Sequence, residues 1–201
     1  MPVSTYAELG TAVTLMSNRA DLATNIDTYI ALAEEAIYNG IGDIRPLRVM
    51  GMVTSTSAGL PTLPSDFLEA IRLTTTQSGL TSVVTYVPPQ NLSSASNGSA
   101  AQALYFTVVG DQIETWPTIS SYTLHYYKRF AALSGSATTN WILTNAPGIY
   151  LNGCLMFLYK NTRDQGGEQM AMRDFATSIA ALKNRDYAAI TKGSILQVRA
   201  N

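Results

Sequence analysis

The sequence predicts an α+β fold: N-terminal and C-terminal helices form a bundle, and an antiparallel β-sheet or sandwich is inserted between them. Apolar residues recur at helical spacing near both ends of the 201-residue chain, within residues 22–37 and again within 172–182. Between these segments lie short runs of period-two alternation bounded by Gly, Pro, Asn and Asp. The order is helices, then strands, then helices, so the elements are segregated instead of alternating as βαβ units. The expected boundaries are a helical bundle at 1–44 and 138–190, an antiparallel β domain at 45–137, and a C-terminal tail at 191–201.

The first helix is expected over 5–17, with Ser4 as N-cap and Leu9, Val13 and Met16 on one face. Asp21 is the expected cap of the second. There Leu22, Ile26, Tyr29, Ile30, Ala33 and Ile37 keep the 3.6-residue period, and Asn39-Gly40 ends it. Glu34 and Glu35 lie off this stripe. Neighbours on a helix point about 100° apart, so they read as a solvated face and not as paired acids.

The texture then becomes extended. Residues 45–56 are rich in Val, Met and Thr. Leu63-Pro64-Ser65-Asp66-Phe67 is a turn, with proline fixing φ and Ser and Asp bonding to backbone. Residues 70–75 and 83–87 read as strands, and Pro88-Pro89 stops the second. Residues 91–103, almost all Ser, Asn, Ala, Gln and Gly, form a long loop. Residues 104–109 and 112–116 form a hairpin on Gly110-Asp111, a pair suited to positive φ at its first position. The strand 122–130 follows, with Tyr122, Leu124, Tyr126 and Phe130 on one face and Thr123, His125, Tyr127 and Arg129 on the other.

After a small-residue loop at 134–139, Pro147 opens a helix that is apolar nearly all round through Tyr159, and therefore central and buried. Arg163 to Gly167 reads as a turn. The last helix runs from Glu168 to about Ala189, with Met172, Phe175, Ala176, Ile179 and Leu182 on one face.

Charged residues are only 13% of the chain against 46% hydrophobic, and the net charge is −1. Either other subunits cover part of the surface, or the surface is a neutral one of Thr, Ser and Asn. No basic run exceeds Lys128-Arg129, so the cation cluster of a phosphate-binding protein is missing. A passage that merely lets DNA through needs none. The single Cys154 cannot close an internal disulfide. The longest apolar run falls short of the ~20 residues that span a bilayer, and no signal peptide precedes it. The expectation is a soluble protein made in a cytosol.

The search for chemistry is mostly negative. Gly40-Ile41-Gly42 begins like a dinucleotide loop, but Arg45 stands where glycine is needed and the segment follows a helix. One His and one Cys make no common N/S metal site, and no cofactor motif occurs. His125 is the only candidate base, with no nucleophile or orienting acid beside it, and reads as structural. Cys154 reads as a small core filler. Trp141 is either a hydrophobic lid on the core or an anchor between subunits; the core reading is preferred.

Several segments carry a family resemblance: the 29–48 helix-to-strand passage, the Leu63–Phe67 turn, Tyr126-Tyr127-Lys128-Arg129, and Ala132-Leu133-Ser134. Thr139-Asn140-Trp141, Pro147-Gly148-Ile149-Tyr150-Leu151 and the closing helix with Asp186-Tyr187 complete the series. In this order the chain resembles the adaptor, or head-to-tail connector, proteins of short-tailed bacteriophages. It departs from them at Gly148, where they often carry an acid, and in the 91–103 loop.

The resemblance implies a virion structural protein without enzymatic activity, made in the bacterial host cytoplasm. Such adaptors form a ring, usually of twelve copies, below the portal protein. They extend the DNA channel, with DNA only as cargo, and offer a platform to tail or nozzle proteins. In related connectors the C-terminal segment reaches the portal, which makes Ile190, Lys192, Ile195, Leu196, Val198 and Arg199 the candidate docking tail and Trp141 a candidate core hinge. A frayed terminus is the competing reading of that tail. The alternative function is a non-enzymatic module whose sheet presents aromatic residues to a glycan or another ligand.

Overall fold

A computed structural model describes residues 3–39, 53–58, 62–77, 79–91, 104–119 and 121–191. The fold is α+β, as predicted, and the chain divides into two compact units. One comprises residues 1–51 with 130–201, the other 52–129. The Gly40-Ile41-Gly42 segment, Arg45 and Arg48, residues 92–103 of the predicted loop, and tail residues 192–201 lie outside the described residues.

The helical unit contains α1 (Tyr6–Ser17), a 3-10 segment (Ala20–Asn25), α2 (Ile26–Asn39), α3 (Trp141–Asn145), α4 (Pro147–Thr162) and α5 (Gln165–Thr191). The cap of α1 is Thr5, one residue later than expected. Its hydroxyl accepts from the Glu8 N–H, while the Glu8 carboxylate accepts from the Thr5 and Ser4 backbones, completing a capping box. Asp21 does not cap α2. It pairs with Arg19 at 2.8 Å at the start of the 3-10 segment, and α2 begins only at Ile26.

Helix α4 is central and packs against α1, α2, α3 and α5. It buries Ile149, Tyr150, Gly153, Cys154, Leu155, Met156 and Leu158, as its all-round apolar sequence requires. Gly153 permits the tightest approach: a Cβ built there would lie 2.9 Å from Ala33 Cβ and 3.2 Å from the Phe175 ring. Arg163 ends α4 in the left-handed region. Gly166 and Gly167, expected in a turn, belong instead to the first turn of α5, where Asp164 accepts from the Gly167 N–H at 3.0 Å. A Cβ at Gly167 would meet Tyr159 at 2.8 Å, so this helix start abuts the end of α4.

The buried stripes differ from expectation at two methionines. In α1 it is Leu9, Ala12 and Val13 that are buried, and Met16 is exposed beside the end of the helix. In α5 the stripe runs through Ala171, Phe175, Ile179, Leu182 and Asp186, which leaves Met172 outward.

The sheet unit has strands β1 (Val53–Ala58), β2 (Phe67–Gln77), β3 (Leu80–Tyr86), β4 (Tyr105–Val109), β5 (Gln112–Trp116) and β6 (Tyr122–Lys128). They lie in the order β1-β6-β2-β3-β4-β5. The predicted Gly110-Asp111 hairpin is present, with Gly110 at φ +63°. The pairs are antiparallel except β3 with β4, which is parallel. A parallel pair needs a crossover of about a dozen residues or more, and the long 87–104 connection supplies that length. Leu73, Val84, Phe106, Ile113, Tyr122, Leu124 and Tyr126 form the core on one face. The 122–130 strand ends at Lys128, so Phe130 takes no part in the sheet.

Candidate functional site

Phe130 to Asn140 returns the chain to the helical unit with almost no regular structure, and only Leu133 is buried in it. Directional bonds hold it down. The Phe130 N–H donates to Tyr38 Oη at 2.9 Å and the Leu133 N–H to Glu34 Oε1 at 2.8 Å. The Tyr6 N–H donates to the Thr138 carbonyl at 2.8 Å. Helices α1 and α2 thus both anchor the strap.

Asn140 fastens its far end. Its side-chain oxygen accepts from the Leu143 N–H at 2.9 Å, capping α3. Its Nδ2 donates to the Ala131 carbonyl at 3.2 Å and to Tyr150 Oη at 2.6 Å. Tyr150 is fully buried in α4, and its hydroxyl donates onward to Glu34 Oε1 at 3.0 Å. Glu34 is therefore not part of a solvated face, as its spacing implied; it accepts from strap and core together. Burial pushes the Tyr150 hydroxyl far above its ordinary range. The Glu34 charge pushes the same way, and the Asn140 amide acts against both.

Trp141 opens α3 half-buried and stacks on Phe130, with ring centroids 5.9 Å apart and planes 16° from parallel. The candidate hinge thus closes the strap on itself, joining its first residue to the residue just past its last. Ile190 lies within α5, whose backbone runs to Thr191. Lys192, Ile195, Leu196, Val198 and Arg199 fall outside the described residues.

The candidate chemistry is not brought together. Cys154 is wholly buried, and burial, then the Glu34 charge, pushes its thiol far above the usual range. It is held as the unreactive thiol. His125 faces Ser55 and Arg72 across the sheet, and its buried Nδ1 has no hydrogen-bond partner among the described residues. Among those residues no three His, Cys, Asp or Glu side chains gather as a metal site requires. No helix there is long and apolar enough to cross a membrane.

The ligand-binding alternative needs an aromatic platform. Tyr86 and Trp116 are exposed, but strand alternation puts Tyr86 on the core face beside Phe106 and Trp116 on the opposite one. These two exposed rings do not form a common surface.

What the arrangement offers is a hydrogen-bonded helical unit with exposed apolar positions, among them Leu15, Met16, Met170, Met172 and Tyr187. Comparison with curated proteins gave no match. The family model described as SU10 adaptor protein matches residues 4–196. The chain therefore belongs to the SU10 adaptor protein family, and is a structural adaptor of a bacteriophage virion that associates with other virion proteins.

Proposed function

We propose that the protein assembles as a ring of twelve copies beneath the portal, continues the DNA channel and offers its outer side to tail or nozzle proteins. The observation that carries this reading is the family match over nearly the whole chain. The low charge and the exposed apolar residues of the helical unit agree with a surface made to be covered. DNA passes through as cargo, consistent with a net charge of −1.

The tail from Ile190 through Lys192, Ile195, Leu196 and Val198 to Arg199 docks on the portal. Trp141 serves as the core hinge at the chain's return to the bundle. Function here is scaffold geometry, not catalysis.

Negative-stain imaging of the purified protein, alone and mixed with the portal of its own virion, tests the reading. Rings stacked on the portal are expected. A chain that stays monomeric and ignores the portal overturns it. Deleting 192–201 should leave the helical unit folded and abolish the portal complex.

A further inference from the structure

The sheet unit leaves one of its inner strands largely unpaired on one side. Strand β3 pairs with β2 from Leu80 to Val84, but β4 meets it only at Thr85 and Tyr86. The Thr85 N–H donates to the Leu104 carbonyl at 2.8 Å and the Val87 N–H to the Phe106 carbonyl at 2.9 Å. Strand alternation turns the N–H and C=O of Thr81 and Val83 to that same side. There, among the described residues, no strand reaches them. Leu80 and Val83 are 74% and 60% exposed. From Leu80 to Val84, β3 is therefore an edge strand about 17 Å long.

A second open edge lies at the end of the sheet. Among the described residues, β1 pairs only with β6. Natural edges are normally blocked by charge, proline or cover, because their unpaired backbone groups recruit another strand. The β5 edge is blocked in all three ways. Glu114 lies within it and Pro117 follows it. Thr62 pairs with Gln112, and the Leu63 N–H donates to the Asp111 carbonyl at 2.8 Å. By contrast, neither Val53–Ala58 nor Leu80–Tyr86 contains a charged residue or a proline. Two unguarded edges of nearly equal length thus stand on one unit.

We propose that the Leu80–Val84 edge of β3 receives β1 of a second copy, so that the sheet of one copy continues into the next. A row of alternating N–H and C=O groups is satisfied by an extended segment, and β1 is such a segment, already formed and with one side open. With no charge on either edge, no like-charge repulsion opposes the pairing. Leu80 and Val83, which stand in solvent, then gain cross-strand neighbours. The two edges are different patches of one unit, so the contact is head-to-tail. Repeated head-to-tail contacts close into rings when the rotation allows. This contact presupposes the ring reading above and would build that ring.

Amide exchange tests it. In rings formed on the portal, peptides covering 80–84 and 53–58 should both exchange about tenfold more slowly than in the isolated chain. Protection of 80–84 already present in the isolated chain means that the edge is covered from within, and overturns the contact. Protection of one segment without the other overturns β1 as the occupant. Rings with neither segment protected overturn the contact and leave the adaptor reading standing. A wild-type chain that forms no ring, with or without the portal, overturns both. In parallel, Val83→Pro removes an N–H that serves no bond among the described residues, a change that edge strands tolerate. It should cut the ring population about tenfold with an unchanged thermal melt of the isolated chain. Undiminished rings would also overturn the contact, and if the melt falls, exchange in the wild-type chain decides.

Discussion

The buried Tyr150 hydroxyl donates to Glu34 Oε1 at 3.0 Å, and the same oxygen accepts from the Leu133 N–H at 2.8 Å. One carboxylate oxygen thereby joins α2, α4 and the 130–140 strap within the helical unit. Tyr150→Phe removes the central hydroxyl and leaves Asn140 and Glu34 each one partner short. The expected loss is about 1–3 kcal/mol, read as a lowered urea midpoint at unchanged slope. Glu34→Gln should cost less, because an amide oxygen still accepts both bonds.

The same tyrosine gives a pH signature. Its folded-state pKa lies above its unfolded value of 10.0, as does that of Cys154 above 9.0. The unfolded chain then releases protons that the folded chain retains. Stability from both groups is complete below about pH 9 and falls as pH rises beyond it. Denaturant melts between pH 8 and 11 should show this decline, and Tyr150→Phe should make it shallower.

Gly153 and Gly10 should respond in opposite directions to alanine. At Gly153 the new methyl meets Ala33 Cβ at 2.9 Å and the Phe175 ring at 3.2 Å, both closer than ordinary van der Waals contact. Overpacking of this kind costs about 1–3 kcal/mol. At Gly10 the nearest atom is a flexible Ile26 methyl at an ordinary 3.5 Å, so Gly10→Ala should gain up to about 1 kcal/mol of helix propensity. Thermal melts of the two variants, compared with the parent, decide the matter.

The Phe130–Trp141 stack should appear as a coupling. A double-mutant cycle with Phe130→Ala and Trp141→Ala is expected to give about 0.5–1.5 kcal/mol beyond the separate losses. Strict additivity would show the rings to be neighbours without mutual stabilisation, and the hinge assignment would lose its basis.

At the N-terminus, Thr5→Ala removes one half of the capping box and should cost about 1 kcal/mol. Thr5→Ser should retain nearly all of it. Amide exchange in the first turn of α1 separates this local fraying from a global effect.

Much of the fold was legible because it rests on local rules. The Gly110-Asp111 hairpin follows from glycine's tolerance of positive φ, and the central α4 from a sequence apolar on every side. The 122–128 strand follows from alternation: Tyr122, Leu124 and Tyr126 all enter the core. Legibility failed where partners are distant in sequence. Glu34 looks solvated because Leu133 and Tyr150 come from 99 and 116 residues away. The parallel β3–β4 pair leaves no periodic mark, since register across a crossover is not written in either strand. Met16 and Met172 were drawn into stripes by hydrophobicity alone, and helix ends and neighbouring turns decide which side a methionine takes. The Asn140 cap was within reach, being a polar residue placed three before Leu143, but the short α3 carried too little pattern to reveal it.

The pairing of β1 with β6 has a consequence for how the chain is made. Val53 lies opposite Tyr127, so the first and last strands of the sheet unit are neighbours. Once that pair forms, the distance between Tyr38 and Phe130, 92 positions in sequence, shrinks to the short connections at 39–52 and 128–129. Closure cost grows only logarithmically with loop length, so this shortening lowers the entropy cost of uniting the two halves of the helical unit by about 1.5 kcal/mol. Because residues 52–129 emerge from the ribosome before α4 and α5 exist, the sheet can fold first and hand the later helices a clasp already closed. The insertion that divides the bundle in sequence thus becomes its assembly jig, and lengthening the 92–103 segment should leave that order of events intact.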